Sequence, residues 1–170
     1  PCDDAAFLRR VHLDIIGRIW QEDFTVWKPE PVEIINRLGW LTAPSQAHDQ
    51  IPAIKSFAQE IKSAGFSHVA LLGMGGSSLG PEVLRQTFGS APGYPELIVL
   101  DSILPEAVQA VTEAIDPART LFVVSSKSGT TVEPQCLYQY FKALVKKAVG
   151  KDKFGPSFIA ITDPGTPLAV

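Results

Sequence analysis

Apolar and polar positions follow two different rhythms on either side of Gly65. Before it, apolar residues recur three and four apart, the spacing of one helix face. Phe7, Leu8, Val11, Ile15 and Ile16 predict a helix that Asp3 or Asp4 would cap and Gly17 would interrupt. Pro29 and Pro31 open a short helical pattern through Ile34, Ile35 and Leu38, which Gly39 would end. Ile51, Ile54, Phe57, Ala58 and Ile61 mark one face of a further helix that stops at Gly65. Beyond Gly65, short β-rich runs alternate with amphipathic stretches. Strands are predicted at Val69–Leu72, Leu97–Leu100, Leu121–Val124 and Phe158–Ile161. The helices between them start near Ser78, Pro105 and Thr131, with apolar faces at Leu79/Val83/Leu84/Phe88, Val108/Val111/Ile115 and Val132/Cys136/Tyr140/Phe141/Leu144.

Strands alternating with helices are the signature of βαβ units and a parallel sheet. The expected fold is therefore α/β: a three-layer αβα domain over residues 65–170, preceded by a helical N-terminal segment over residues 1–64. Right-handed crossovers place helices on both faces of such a sheet and a ligand outside the carboxyl ends of its strands. The strand-to-helix loops are where chemistry belongs.

Composition narrows the choice of ligand. The 170 residues are 45% hydrophobic and 19% charged with a formal net charge of -3, a globular composition with no broad basic face for nucleic acid or an anionic membrane. A phosphate ligand needs a local site. No apolar run approaches the ~18 residues of a membrane span, and Pro1-Cys2-Asp3-Asp4 has no basic leader character. Cys2 and Cys136 lie far apart and match no metal spacing, which points to a reducing compartment, a cytoplasmic location and no metal; Cys136 is expected in the core. Trp20, Trp27 and Trp40 are expected to pack the helical half onto the sheet, since nothing basic interleaves them as a nucleic-acid surface requires. The lack of an initiating Met, and the end at Leu168-Ala169-Val170 after a strand-like run and a turn, read as a piece of something longer.

Three loops follow predicted strands. In Gly73-Met74-Gly75-Gly76-Ser77-Ser78-Leu79-Gly80-Pro81, a GxxxxGK[ST] phosphate loop fails because Pro81 stands where Lys is required. A GxGxxG dinucleotide motif finds Ser78 in place of its third glycine, although Asp101 sits where a ribose-binding acid belongs. The nucleophile-elbow pattern GxSxG is matched by Gly76 to Gly80, yet His12, His48 and His68 all precede Ser78, against the chain order of that triad. Glycines and serines at a helix start favour anion binding over a bare tight turn.

In the second loop, Ser125-Ser126-Lys127-Ser128-Gly129-Thr130-Thr131, five hydroxyls, an ammonium and a flexible glycine gather at a helix N-terminus. Unpaired N–H groups and the helix dipole favour negative charge there, which is how a phosphate monoester is held. Helix capping uses the same end: Ser128 or Thr130 could be the N-cap, and Thr130 and Glu133 have capping-box spacing. The third loop, Thr162-Asp163-Pro164-Gly165-Thr166-Pro167, reads as a turn in which Asp163 either orients a substrate hydroxyl or makes an Asx turn before Pro164.

GMGGSSLGP followed, at the next-but-one strand end, by SSKSGTT and VEP resembles the glucose-6-phosphate isomerase family and its sugar-isomerase (SIS) domain, whose sheet is flavodoxin-like. The stretch from Arg18 through Trp27-Lys28-Pro29 to Trp40-Leu41 resembles the isomerase part of bacterial fusions of transaldolase with phosphoglucose isomerase. The resemblance runs from about Arg18 to Leu168 and leaves residues 1–17 as an unmatched extension or fusion join.

Carried over by position, the resemblance places Gly76 and Ser77 beside the sugar, and Ser126, Lys127, Ser128 and Thr131 around the phosphate. Ser78 replaces a residue that is acidic in other members. The family interconverts glucose 6-phosphate and fructose 6-phosphate through an enediolate, without a cofactor, as a homodimer. The Glu base, ring-opening His, Arg and Lys that it uses lie downstream of this segment, past residue 170. The resemblance thus implies an incomplete SIS domain that holds phosphosugar without turning it over. Two alternatives stand beside it. One is a non-catalytic phosphosugar-binding SIS module of a regulator, although the N-terminal half has no basic recognition helix. The other is a dinucleotide-binding oxidoreductase domain.

Overall fold

The computed structural model describes residues 14–169. The chain divides into two units, residues 1–57 and 58–170.

In the first unit, helix α1 is described over residues 14–20, so Gly17 does not interrupt it; Asp3, Asp4 and the earlier part of the predicted helix lie outside the described residues. The chain then turns through Phe24–Val26, a 3-10 helix capped by Asp23, whose carboxylate accepts from the Thr25 N–H and, at 2.8 Å, from Arg18 Nε. The second 3-10 helix, Ile35–Leu41, runs through Gly39 instead of ending there, and buries Leu38 and Leu41. Helix α2, Ala43–Ser63, begins earlier than the apolar spacing suggests, carries Pro52 in its interior and buries no residue. Ile51, Ile54 and Phe57 are exposed, as are Trp20, Trp27 and Trp40. Fewer than about 60 residues rarely enclose several large side chains, and this unit encloses two leucines. Gly65, two residues beyond α2, has φ +79, the left-handed value of a helix C-terminus.

The second unit is built on a parallel sheet of β1 (His68–Gly73), β2 (Glu96–Leu100), β3 (Thr120–Ser125) and β4 (Phe158–Ile161), in the order β2-β1-β3-β4. All four match the predicted runs to within one residue at each end. The helices between them are α3 (Gly76–Phe88), α4 (Pro105–Ala114) and α5 (Val132–Val149). The step from β1 to β2 goes one way along the sheet; the steps from β2 to β3 and from β3 to β4 go the other. Right-handed crossovers therefore put α3 on one face and α4 with α5 on the opposite face. The result is the expected three-layer αβα arrangement, with a flavodoxin-like strand order.

The core agrees with this division. Ala70, Leu72, Leu100, Phe122 and Val124 point to the face where Ile115 follows α4 and where Leu137, Phe141 and Val145 descend from α5. Phe141 stacks on Phe122 at 4.9 Å between ring centroids, and Phe122 on Phe158 at 5.1 Å. The alternate residues Leu71, Leu121 and Val123 are buried on the other face.

Two helix faces differ from the periodicity reading. On α5 the buried line is Pro134, Leu137, Phe141 and Val145, and Cys136 is exposed, not in the core. Neighbouring residues on a helix lie about 100° apart, so once Leu137 seats inward, Cys136 is turned away. On α3, Leu79, Val83, Leu84 and Phe88 are all exposed, and Ser78 is the buried residue. Small side chains face the sheet because the backbones approach closely: a Cβ on Gly73 would sit 3.2 Å from the Ser77 Cβ.

Candidate functional site

The sheet has its switch point between β1 and β3, because the chain leaves β1 towards β2 on one side while β3 lies on the other. At such a point the connections diverge and open a crevice beyond the carboxyl ends of the strands. Gly73 and Ser125 are partners at those two ends. A cleft of about 480 Å³ lies there, lined by Gly76 and Ser77 after β1, Ser125 at the end of β3 with Lys127 just beyond it, and Thr162 and Asp163 after β4.

The first loop is shaped by its glycines. Gly75 takes φ +54 and serves as the N-cap of α3, a conformation only glycine adopts readily. Its carbonyl accepts from the Ser78 and Leu79 N–H groups at 3.1 and 2.9 Å and from the Ser78 hydroxyl at 3.0 Å. The Ser77 N–H donates to the Met74 carbonyl at 3.1 Å. These donors are consumed within the turn. The Ser77 hydroxyl has no hydrogen-bond partner among the described residues and belongs to the cleft wall.

The second loop is held on both sides. The Ser126 N–H donates to the Ile161 carbonyl at 3.0 Å, extending the β3–β4 ladder by one rung. The Ser126 side chain is buried, and its hydroxyl donates to the Thr131 hydroxyl at 3.0 Å. Gly129 turns the chain at φ +65, its N–H donating to the Ser126 carbonyl at 3.2 Å, and Gln135 Nε2 donates to the Gly129 carbonyl at 2.8 Å. The N-cap of α5 is Thr131, with no side-chain capping bond. The capping box expected between Thr130 and Glu133 is thus not formed. The Ser128 hydroxyl accepts from the Thr130 N–H at 3.2 Å, a local turn bond that competes with capping. The first-turn N–H groups of α5 consequently keep their positive potential without a side-chain acceptor from the cap.

The third loop supplies what sequence reasoning undervalued. Lys127 Nζ lies 2.6 Å from Asp163 Oδ2, with both side chains more than half exposed. The same two residues are joined through the backbone, the Asp163 N–H donating to the Lys127 carbonyl at 3.2 Å. The Thr162 hydroxyl donates to that carbonyl at 3.4 Å and pairs with the Thr166 hydroxyl at 2.7 Å. Thr166 in turn packs against Gly129, where a Cβ would come within 2.7 Å of its side chain. The Asp-Pro-Gly turn chemistry hid this role. The one available signal was its position directly after the strand that neighbours β3.

Of the residues singled out from sequence, Gly76, Ser77 and Lys127 line the cleft together. Ser126 and Thr131 do not line it and are bonded to each other, while Ser128 is exposed and bonded to Thr130. Asp101 follows the edge strand β2 and does not line the cleft. Among the described residues no cluster of His, Cys, Asp and Glu could hold a metal ion, and no helix is long and apolar enough to cross a membrane.

Comparison with known proteins bears on this geometry. The phosphoglucose isomerase family model matches residues 42–166. A glucose-6-phosphate isomerase of Carboxydothermus hydrogenoformans is 32% identical over 136 residues, covering 75% of this chain and 29% of its own. One of Chlamydia trachomatis serovar A is 33% identical over 133 residues, covering 71% and 25% respectively. Among solved structures, a hypothetical protein of Thermus thermophilus superposes with a TM-score of 0.72 at 26% identity, over 98% of this chain and 37% of that one. A glucose-6-phosphate isomerase of Chlamydia trachomatis does so with a TM-score of 0.62 at 30% identity, over 74% and 25%. The chain thus spans less than a third of the length of these curated relatives, and the matched segment contains every residue that lines the cleft. Parallel sheet, switch-point loops and sequence similarity converge: the chain belongs to the phosphoglucose isomerase family.

Proposed function

We propose that this chain is the phosphate-holding portion of a glucose-6-phosphate isomerase, the aldose–ketose isomerase that interconverts glucose 6-phosphate and fructose 6-phosphate, and that by itself it binds the phosphosugar without turning it over. The observation that carries this reading is the meeting of two hydroxyl-rich loops at the β1/β3 switch point, one of them opening α5 without a side-chain cap. A phosphate placed at that helix end meets unpaired N–H groups, the Lys127 ammonium and the hydroxyls of Ser126, Ser128 and Thr131, and a hydroxyl bonded to one neighbour still has capacity for a second. Gly76 and Ser77 then flank the sugar.

The isomerisation moves a proton between adjacent carbons, which requires a base near the sugar and groups that stabilise the enediolate. Among the described residues the cleft is lined by no Glu or His, and its one carboxylate, Asp163, is paired with Lys127. Binding without groups that act in the transition state does not accelerate the chemical step. In the complete enzyme, a cytoplasmic homodimer on this reading, the rest of the polypeptide supplies those groups.

Calorimetric titration of the 170-residue chain with glucose 6-phosphate, with glucose and NAD as controls, tests the proposal. The expected result is weak binding, on the order of a millimolar, that needs the phosphate. Ser126→Ala/Thr131→Ala should lower it more than tenfold, since hydrogen bonds to a charged group are worth about 1.5–3 kcal/mol each. Folded protein that ignores glucose 6-phosphate refutes the reading, and binding of NAD in its place favours a dinucleotide site.

A further inference from the structure

Among the described residues, Lys127 and Asp163 are the only charged ones that line the cleft, and they are bonded to each other at 2.6 Å. The pair is a poor source of stability, since ion pairs this exposed contribute little. The two backbones that carry it are nonetheless held together by the bond from the Asp163 N–H to the Lys127 carbonyl and by the Thr162 hydroxyl on the same carbonyl. The backbone of neither residue can leave the cleft without breaking the junction of two loops. A phosphate that reaches for the Lys127 ammonium therefore meets a carboxylate already bound to it.

We propose that Asp163 is a specificity-determining residue that makes the cleft prefer phosphate esters of polyhydroxylated molecules over bare anions. This rests on the phosphate-site reading above. An ionised carboxylate only accepts hydrogen bonds. An inorganic phosphate that draws the ammonium towards itself leaves the half-exposed Asp163 oxygens to water, while the like-charge repulsion from Asp163 acts on either ligand. A sugar phosphate pulls on the ammonium in the same way but brings hydroxyls that donate to the released oxygens. Inorganic phosphate brings at most one or two P–OH donors and the sugar ester several hydroxyls, so the penalty falls more heavily on inorganic phosphate, and the pair works as a filter built from one acid and one base.

The test is titration of the 170-residue chain with inorganic phosphate and with glucose 6-phosphate, in the unmodified protein and in Asp163→Asn, Asp163→Glu and Ser126→Ala/Thr131→Ala. Circular dichroism establishes that each variant is folded. The unmodified protein should prefer glucose 6-phosphate. Asp163→Asn should bind inorganic phosphate roughly three- to tenfold more tightly, the size expected for removing one partly screened charge, and should gain nothing for glucose 6-phosphate, so that the preference collapses. Asp163→Glu keeps the charge and should keep the preference. Equal weakening of both ligands in Asp163→Asn would show that the residue only holds the loop, and no change in either would reduce the pair to a surface contact; both outcomes overturn the proposal. The Ser126→Ala/Thr131→Ala variant separates the two readings. Loss of both ligands there supports the phosphate site whatever Asp163 does, and an unmodified protein that binds neither ligand overturns both.

Discussion

Replacing Gly129 by alanine tests how the second and third loops are joined. Gly129 has φ +65, and an added Cβ would lie 2.7 Å from the Thr166 Cβ, 2.8 Å from its hydroxyl and 3.2 Å from the Leu168 N. Two penalties combine. A left-handed conformation disfavours an L-residue by about 1–2 kcal/mol, and forcing a methyl into a filled space adds about 1–3 kcal/mol. The overlap is not relieved by swinging a flexible side chain aside, because the nearest atom is the Cβ of a β-branched residue whose hydroxyl is bonded to Thr162 at 2.7 Å. The sum is a loss of about 2–5 kcal/mol. Gly65→Ala is the matched control: its φ is +79, but nothing lies within 4 Å of the added Cβ, so only the backbone penalty applies. Urea unfolding of both variants, with Gly129→Ala/Thr166→Gly as a third, measures the parts separately. Gly129→Ala should be the less stable single variant, and Thr166→Gly should recover part of the difference. If the two alanine variants lose equal stability, the tight approach of the loops has no energetic weight and the reasoning fails.

Two further perturbations probe the scaffold. Glu82 on α3 is bonded to Arg85 at 2.7 and 2.8 Å and to Gln86 at 2.8 Å, which hold its carboxyl well below the usual value, at about 2. A lowered carboxyl pKa stabilises the fold above the ordinary value and stops doing so as pH falls through the folded one. Any stability advantage of the parent over Glu82→Gln should therefore shrink as pH drops from about 4.5 to about 2, and a pH-independent gap in urea unfolding would contradict this. Phe141 is fully buried and stacked on Phe122; Phe141→Ala should lose about 3–5 kcal/mol in the same assay, and a loss under about 1 kcal/mol would mean that the α5 face of the sheet is loosely packed.

The strands were legible because buried parallel strands read as short apolar runs, as Val69–Leu72 and Leu121–Val124 do, and the edge strand Phe158–Ile161 is as apolar although none of it is fully buried. The helix faces were less so. On α3 the close approach at Gly73 selects Ser77 and Ser78 for the sheet side, which a hydrophobic count cannot anticipate. On α5 an apolar residue occurs at almost every second or third position, so several faces fit the pattern until Leu137 and Phe141 are seen to seat between the sheet and the helix. In the second loop, Ser126, Lys127 and Thr131 announced themselves as candidates by composition at a helix start, and of these Lys127 lines the cleft. Asp163 did not, because its importance lies in a partner 36 positions away, and the turn around it is a sufficient local explanation.

The register of the sheet also sets the accuracy of the cleft. Its walls come from three loops that follow three different strands, and no covalent link shorter than a whole helical crossover joins them. Sliding β1 against β3 by one residue would shift Gly73 past Ser125 by about 3.3 Å and turn each inward side chain outward. Hydrogen bonds tolerate a few tenths of an ångström. The aromatic stack of Phe122, Phe141 and Phe158, on the opposite side of the sheet from α3, therefore acts as the datum from which the positions of Ser77, Lys127 and Asp163 are measured. The tolerances of a polar site are set here by an apolar interior that no ligand touches.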